Sequence, residues 1–379
     1  MQPQALACVH MEMPDKALNI AFFGSSLVSA YWNGAATYYR GIIRALHARG
    51  HRVIFYEPDA YDRQAHRDIP DPLWATVKVY PATEEGVSIS LEEARGADLI
   101  IKASGVGVFD KFLEGAVLDL KQDNLIAFWD VDAPATLDRV GSGPEDHFRP
   151  LIPKYDFIFT YGGGEPVVKG YKRFGAMNCF PIYNALDPQA HYPVPPEDRF
   201  KCDMAFLGNR LPDREARVEE FFLKTASLLP DKTFLLGGNG WHDKPLPTNV
   251  KYIGHVYTAD HNALNSTPVS VLNISRESMA RYGYSPATRV FEAAGAGACI
   301  TTDKWEGIEL FLEPEKEVLL AGSGEEVAGI LGSLTPERAR SIGLAGKRRI
   351  LSEHTYAHRA LQFEKMLGID KKAGLRPCA

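Results

Sequence analysis

Cysteine is scarce in this sequence. Its five cysteines are scattered through 379 residues, and no two of them stand in a C-x-x-C spacing. This pattern argues against a disulfide framework and a zinc cluster, and it is typical of the reduced thiols of a cytoplasmic protein. The sequence also lacks an apolar run of about 18 residues and a basic-then-apolar leader, so we expect neither a transmembrane segment nor a secretion signal. Residues 1–16 are expected to form a loose N-terminal tail.

An excess of positive charge is missing as well. The chain has 42 basic and 48 acidic side chains, which give a net charge of −6. A dedicated nucleic-acid-binding protein needs a basic surface, so we expect no nucleic-acid partner. Apolar residues make up 45% and charged residues 24% of the chain. This is a globular composition, and the length of the chain suits two domains.

Two series of short apolar strands follow one another, and helical patterns separate most of the strands. The strands are predicted at 18–24, 52–57, 98–104, 125–130 and 155–161, and then at 202–208, 233–238, 250–256, 269–275, 298–303 and 317–321. Strand-helix-strand units of this kind form parallel sheets. Between the two series, residues 186–199 have four prolines and no periodicity, which is typical of a linker. We therefore predict an α/β protein with two doubly wound domains, 17–185 and 200–352, and a C-terminal segment, 353–379.

An anion site is predicted where a helix opens the stretch SPATRVFEAAGAGACITTD, residues 285–303. Ser285 suits the N-cap and Pro286 the first helical position, while the first turn contains no acid. The free N–H groups and the dipole of such a helix end favour a phosphate, and Arg289 adds a charge. Glu292, farther along, is suited to accept hydrogen bonds from a sugar diol. The alternative is that Arg289 and Glu292 form an ordinary surface ion pair.

Three further segments follow strands of the second domain. In FLGNRLPDR (206–214), Arg210 and Arg214 lead from a strand into a helix, an arrangement that can cradle a phosphate. The glycines of LGGNGWH (236–242) and of GHVYTADHNALN (254–265) allow the backbone to approach a flat base closely. The alternatives are solvated arginines for the first segment and plain turns for the other two.

Two aspartates follow an apolar strand of the first domain, in FWDVDAP (128–134). Asp130 and Asp132 are expected to face a cleft between the domains, since ligands bind beyond the carboxyl ends of parallel strands. A carboxylate there suits general-base catalysis, and Asp130 is the preferred candidate. The alternative is an Asx turn or a helix cap before Pro134, particularly for Asp132. The nearby GVGVFD (105–110) lacks the third glycine of a dinucleotide fingerprint, which disfavours a nicotinamide oxidoreductase.

The segment NISRESMARYGYSPATRVFEAAGAGACITTDKWEGIELFLEPEKEVLLA (273–321) resembles the donor-binding half of GT-B glycosyltransferases. It looks in particular like the spore-maturation CgeB-like branch of the group 1 enzymes. WNGAATYYRGIIRALHARGHRVIFYEPD (32–59) is similar to openings that are common in that branch. The resemblance implies two facing Rossmann-like domains and a final helix, about 353–367, that crosses back to the first domain. It also implies a nucleotide sugar as co-substrate, with a UDP-sugar expected, and neither a bound metal nor a cofactor.

The resemblance also implies roles for individual residues. Glu292 matches the glutamate that related enzymes place against the ribose, and Arg210 matches the arginine that holds the diphosphate. Tyr284 stands where many relatives have an acid that contacts the donor sugar. The donor sugar and the stereochemistry of transfer therefore stay open. The acceptor is open too: a glycan, a lipid-linked sugar, a protein or a metabolite.

The predicted site draws on both domains, with Asp130 and Asp132 as catalytic candidates. The donor-binding candidates are Gly24, Ser25, Asn209, Arg210, Arg214, Gly238, Asn239, His255, Val256, Tyr257, Arg276, Tyr284, Ser285, Pro286, Ala287, Thr288, Arg289 and Glu292. The predicted activity is hexosyl transfer from a nucleotide sugar. Two alternatives are a sugar-nucleotide epimerase on the same fold and a non-catalytic nucleotide-sugar-binding or scaffold protein. The sequence leaves the oligomeric state open.

Overall fold

The first half of the chain forms a seven-stranded sheet. A computed structural model describes residues 16–31 and 33–369, so the predicted N-terminal tail lies outside the described residues apart from Lys16. The strands of the first sheet are β1 (Asn19–Phe23), β2 (Arg52–Asp59), β3 (Thr76–Pro81), β4 (Leu99–Ala103), β5 (Leu125–Asp130), β6 (Phe157–Thr160) and β7 (Cys179–Pro181). They pair in parallel in the order β3-β2-β1-β4-β5-β6-β7. The order reverses between β1 and β4, which is the switch point of a doubly wound sheet.

The second half forms a six-stranded sheet of the same kind. Its strands are β8 (Met204–Leu207), β9 (Phe234–Gly237), β10 (Val250–Gly254), β11 (Ser270–Asn273), β12 (Ile300–Asp303) and β13 (Leu319–Ala321). They pair in parallel in the order β10-β9-β8-β11-β12-β13, with the switch point between β8 and β11. Central strands such as β4 and β11 are buried along their whole length, and apolar or small residues predominate in them.

Helices cover both sheets. Those of the first half are α1 (Ala36–Ala48), α2 (Glu84–Ala94), α3 (Asp110–Ala116), α4 (Ala133–Ser142) and α5 (Gly164–Arg173). Those of the second half are α6 (Glu215–Val218), α7 (Lys224–Leu228), α8 (His261–Ser266), α9 (Glu277–Tyr282), α10 (Thr288–Gly295), α11 (Gly324–Ser333), α12 (Pro336–Glu353) and α13 (Tyr356–Leu367). A π-helical stretch, Glu219–Leu223, joins α6 to α7.

The eleven predicted strands are all present, and the sequence analysis missed two others. Both β3 and β7 lie at the outer edges of the first sheet. The residues of β3 are mostly exposed or half-buried, and β7 has only three residues. Neither strand therefore has the apolar run that marks a buried strand, and their pairing partners specify them instead.

The chain crosses between the halves at two adjacent places. At the start of the linker, the N–H of Leu186 donates to the carbonyl of His354 at 2.8 Å, and the N–H of Tyr356 donates to the carbonyl of Leu186 at 3.1 Å. Beyond this point α13 packs on α1, and Ala360 and Phe363 join the core of the first half. The predicted return of the final helix to the first domain is therefore confirmed.

Candidate functional site

A cleft of about 610 Å³ opens at the carboxyl ends of the first sheet's central strands. Ser25 follows β1, Gly105 follows β4 and Asp132 follows β5, so the cleft lies at the switch point of this sheet. Arg276, which follows β11 at the switch point of the second sheet, also lines the cleft. The switch points of the two sheets thus face one another across this space.

Asp130 does not face the cleft, contrary to the prediction. Its side chain is fully buried, and it accepts hydrogen bonds from the hydroxyl of Tyr171 and, at 3.0 Å, from the N–H of Asp132. Asp130 is the last residue of β5 and directs its carboxylate into the protein beneath the cleft. This carboxylate supports the turn that follows the strand, and it does not line the cleft.

Asp132 is the aspartate that lines the cleft. It occupies the N-cap position of α4, as the helix-cap alternative predicts, but its side chain makes no capping hydrogen bond. The residue is exposed to the solvent of the cleft, while the cleft walls remove part of the water around its carboxyl group. This partial burial, and then the nearby Asp130 carboxylate, raise the pKa of Asp132, although Arg276 opposes them. The outcome is an uncommitted carboxylate with increased basicity.

Arg276 reaches the cleft from the second half of the chain, and Arg214 is its electrostatic neighbour. Arg276 precedes α9, and its Nε donates to Asp213 at 2.6 Å. Arg214 precedes α6, and its Nε is buried without a hydrogen-bond partner. Burial, and then the guanidinium of Arg276, lower the pKa of Arg214. An arginine that is half-buried, crowded by like charge and left with a free donor suits an anionic ligand.

The helix α10 begins later than predicted. Ser285 and Pro286 precede the helix, and Ala287 takes the N-cap position in an extended conformation with no side-chain cap. The carbonyl of Pro286 accepts from Asn184 at 3.3 Å, a contact that holds this segment against the linker region. The helix therefore starts at Thr288, and its first turn contains no acid, as predicted. The predicted N-cap role of Ser285 is wrong, but the end of the helix is still uncapped.

Glu292 lies in a smaller cavity of about 190 Å³ between the two halves. The Nη1 of Arg289 is 3.9 Å from its carboxylate, and only 16% and 11% of the two side chains are exposed. The ion pair of the alternative is therefore present, at the upper limit of contact distance, but it is buried and not at the surface. Burial raises the pKa of Glu292, but Arg289, His191 and His261 outweigh it and hold the pKa below its ordinary value. A buried, ionised carboxylate beside an opening is a strong hydrogen-bond acceptor for a ligand.

His191 and His261 were not among the predicted site residues. The Nε2 of His191 lies 3.7 Å from Glu292, and its Nδ1 is buried without a partner. His261 opens α8, and its Nε2 contacts the carbonyl of Val256 at 3.3 Å. His191 lies in the proline-rich linker, where no periodicity marks a functional residue. His261 lies within the segment 254–265, for which the sequence analysis considered only the approach of the backbone to a base.

Arg210 is already engaged within the protein. Its Nη2 donates to Glu215 at 2.7 Å and its Nη1 to Asp243 at 2.9 Å and to the carbonyl of Gly240 at 3.3 Å. Two carboxylates therefore neutralise this guanidinium. Of Arg210 and Arg214, the latter is the one with a side-chain donor that has no partner.

The remaining candidates of the second domain form two groups. The carboxamide oxygen of Asn209 accepts from the N–H of Asn239 at 2.9 Å, and the N–H of Gly238 donates to Gly254 at 2.8 Å, so these loops bind one another. At the second group, the rings of His255 and Tyr257 meet edge to face at 4.7 Å, and Tyr257 is largely exposed beside the buried Val256.

Three candidates lie where the two halves meet or near the first strand. Ser25 lines the cleft and donates to Asn33 at 2.9 Å, whereas Gly24 lies directly under the ring of Phe55. The carbonyl of Tyr284 accepts from the N–H of Gly163 across the halves at 2.8 Å. The phenol of Tyr284 donates to Glu306 at 3.0 Å, so it is held against its own half.

Two kinds of feature are absent from residues 16–31 and 33–369. No group of three or more His, Cys, Asp or Glu side chains in this part of the chain is arranged to hold a metal ion. Among the same residues, no helix is both long enough and apolar enough to cross a membrane.

The second half of the chain matches a known protein family. The family described as "Glycosyl transferase-like" matches residues 214–365. This range includes Arg214, Arg276, Arg289 and Glu292. No curated protein matches the sequence significantly.

Solved structures of glycosyltransferases share the whole fold. Anabaena HepE in complex with UDP-glucose aligns with a TM-score of 0.66 at 14% identity, over 93% of this chain and 99% of HepE. Sucrose-phosphate synthase from Thermosynechococcus elongatus aligns with a TM-score of 0.66 at 16% identity, over 92% and 98% of the two chains. T4 phage BGT in complex with its UDP-glucose substrate aligns with a TM-score of 0.57 at 13% identity, over 93% and 99%.

These likenesses establish the architecture. The chain has the GT-B fold, with two Rossmann-like domains whose sheets are parallel, and the predicted fold class is confirmed. The narrower resemblance to the CgeB-like branch stays a prediction.

Proposed function

We propose that this protein is a glycosyltransferase that moves a sugar from a nucleotide sugar, with a UDP-sugar as the expected donor, to an acceptor hydroxyl. One observation carries the proposal: the carboxylate of Asp132, which makes no capping hydrogen bond, lines the same cleft between two Rossmann-like domains as the guanidinium of Arg276. A general base for the acceptor hydroxyl and stabilisation of the anionic leaving group both accelerate direct displacement of a nucleoside diphosphate from a sugar. Asp132 of the first domain is the candidate base, and Arg276 of the second domain can stabilise the leaving group.

The donor diphosphate would bind on the arginine side. Arg214 has a free buried donor, Arg276 reaches the cleft, and the uncapped end of α10 presents its dipole. Glu292, beyond the first turn of α10, would accept hydrogen bonds from the ribose diol. Two solved structures of this fold, Anabaena HepE and T4 phage BGT, contain UDP-glucose, which supports a UDP-sugar as the donor class.

Asp132 would act on the acceptor. Its carboxylate takes the proton of the acceptor hydroxyl as that oxygen forms a bond to the anomeric carbon of the sugar. The bond between this carbon and the phosphate oxygen breaks, and its electron pair leaves with the nucleoside diphosphate. The arginines stabilise this developing charge in a site from which protein walls exclude part of the water. The raised pKa of Asp132 makes the carboxylate a better base.

The test is the release of UDP from UDP-sugars in the presence and absence of candidate acceptors. Water replaces an absent acceptor slowly, so wild-type protein should release UDP even before the acceptor is known. We expect Asp132→Asn to lower the rate about 100-fold or more, which is within the usual contribution of a general base. Asp123→Asn, at an exposed turn, is the matched control and should keep the wild-type rate.

Three outcomes separate the alternatives. Binding of UDP-sugar with no release of UDP under any condition indicates a non-catalytic binding protein. Conversion of the donor sugar to its epimer indicates an epimerase on the same fold. Wild-type turnover by Asp132→Asn leaves glycosyl transfer standing but removes Asp132 from it.

A further inference from the structure

A buried guanidinium without a counter-ion lines the cleft on the side of the first domain. Arg63 is 6% exposed and lines the cleft. Its Nη1 donates to the carbonyls of Ser25 and Val106 at 3.1 and 3.3 Å, and its Nε is buried without a partner. We propose that Arg63 is a specificity-determining residue that binds an anionic group, a carboxylate or a phosphate, on the acceptor. This inference rests on the proposed function and adds the chemical class of the acceptor to it.

Burial makes the missing counter-ion significant. A charge that is removed from water is destabilising unless a partner of opposite charge and hydrogen bonds compensate for it. Among the described residues, no carboxylate lies within ion-pair distance of Arg63, and its partners are neutral carbonyl oxygens and the ring of Tyr61, 5.0 Å away. An anionic ligand in the cleft that Arg63 lines would supply the missing charge.

The nearest buried acid is not free to serve as the counter-ion. Glu57 influences Arg63 electrostatically, but its carboxylate is fully buried and committed elsewhere. It accepts from the hydroxyl of Ser26 at 3.0 Å, from the N–H of Leu27 at 2.6 Å and from the carboxamide of Gln64 at 2.6 Å. Three donors thus hold Glu57 in the wall behind the cleft.

Apart from Asp132, the acids that line the cleft contact Lys102. Asp110 lies 2.6 Å from the buried ammonium of Lys102, and Glu114 lies 3.7 Å from it. Glu114 also pairs with His147. These contacts engage the two carboxylates on that wall, so neither of them serves as the counter-ion of Arg63. The charge of Arg63 therefore remains available to a ligand.

The position of Arg63 points to the acceptor and not to the donor. The partners of Arg63 follow β1 and β4, at the switch point where ligands of such sheets bind. Both partners belong to the first domain, whereas the arginines assigned to the donor diphosphate, Arg214 and Arg276, come from the second domain. Two separate anion sites in one cleft fit a donor diphosphate and a charged acceptor.

The experiment titrates inorganic phosphate, and separately acetate, into protein whose donor site is saturated with UDP, by isothermal titration calorimetry. We expect saturable binding of at least one of these anions to wild-type protein, and the two arms distinguish a phosphate from a carboxylate. Arg63→Met should bind that anion about tenfold more weakly or worse, since a charge-assisted hydrogen bond contributes about 1.5–3 kcal/mol. Arg67→Met is the control, because Arg67 is exposed on the same segment and pairs with Asp71.

Several results decide the matter. No saturable anion binding to UDP-loaded wild-type protein overturns the proposal, and so does equal anion affinity in wild type and Arg63→Met. Should Arg63→Met not fold, Arg63→Lys keeps the charge but loses the fork and the Nε donor, and we expect it to bind the anion more weakly than wild type. UDP affinity and slow UDP-sugar hydrolysis, measured on the same samples, should be unchanged in the control Arg67→Met. If wild-type protein neither binds UDP nor hydrolyses UDP-sugars, that result counts against the proposed function, whatever Arg63 does.

Discussion

Asp130 and Asp132 are two positions apart, yet their surroundings are opposite. Asp130 ends β5 and is fixed by Tyr171, whereas Asp132 lies beyond the strand with φ −142° and ψ 53°, where the backbone turns into α4. In a continuing strand the two side chains would point to the same face. The strand ends between them, and this is what separates a buried support from a carboxylate that lines the cleft.

Replacement of Glu292 tests donor recognition at one side chain. Glu292→Ala removes a buried, ionised acceptor, so we expect UDP affinity to fall about tenfold or more. Glu337→Ala, an exposed glutamate at the start of α12, is the control and should bind UDP as wild type does. Calorimetric titration with UDP measures both. Unchanged UDP affinity in folded Glu292→Ala would exclude the ribose role.

Arg214 and Arg210 provide a matched comparison. We expect Arg214→Met to weaken UDP binding about tenfold or more and uridine binding little, because its free Nε would serve the diphosphate. Arg210→Met should leave both affinities near wild type, since Glu215 and Asp243 already hold that guanidinium. Titration of each variant with UDP and with uridine measures the difference. The reverse order of effects would return the diphosphate role to Arg210.

At the scale of elements, the packing of α13 on α1 depends on a glycine. Gly41 lies under the ring of Tyr356, where an added Cβ would come within 2.1 Å of a ring carbon. We expect Gly41→Ala to lower the free energy of unfolding by about 1–3 kcal/mol, as overpacking does. Gly329→Ala in α11 meets no atom within 4 Å and should instead stabilise by about 0.5–1 kcal/mol. Chemical denaturation of both variants tests the contrast, and equal effects would show that the close contact relaxes at little cost.

The start of α10 shows how tertiary contacts override a local signal. Ser285 and Pro286 have the sequence pattern of a helix start, but the helix begins at Thr288. The preceding residue, Tyr284, has φ +47° and is tied through its carbonyl to Gly163 of the other domain. These long-range contacts hold the segment extended, and no pattern within the segment itself contains them.

At the scale of the whole molecule, the region where the chain crosses between the halves makes stability depend on pH. His354 follows α12 at this crossing, and its Nδ1 accepts from Arg359 at 3.1 Å. Burial, and then the charges of Arg359 and Arg349, lower the pKa of His354 from 6.5 to about 3. Because the folded pKa lies below the unfolded value, the unfolded chain takes up the proton first as pH falls. The stabilisation is complete above about pH 6.5 and is lost progressively towards pH 3.

We therefore expect the free energy of unfolding of wild type to decrease with falling pH more steeply than that of His354→Gln. The difference between the two slopes should approach about 1.4 kcal/mol per pH unit below pH 6.5, the value for one proton. Urea denaturation at pH 7.5, 6 and 5 measures it, with His242→Gln, an exposed position, as the control. Parallel pH profiles for wild type and His354→Gln would contradict this assignment.

The sequence by itself determined the architecture of the protein. Buried strands such as β4 and β11 consist mainly of apolar or small residues, and each following helix needs an apolar face, so these elements and their order are visible in local patterns. The edge strands β3 and β7 show no such pattern. Each pairs with only one neighbouring strand, and their residues are mostly exposed or half-buried.

Only the tertiary structure decided which side chains form the site. Glu292 acquires its histidine neighbours from the linker and from α8, and the free donor of Arg214 follows from what Arg210 and Asp213 already bind. Burial, unpaired donors and electrostatic neighbours are properties of residues that are distant in sequence. They come into existence when the two sheets face each other, and for that reason no stretch of the chain encodes them alone.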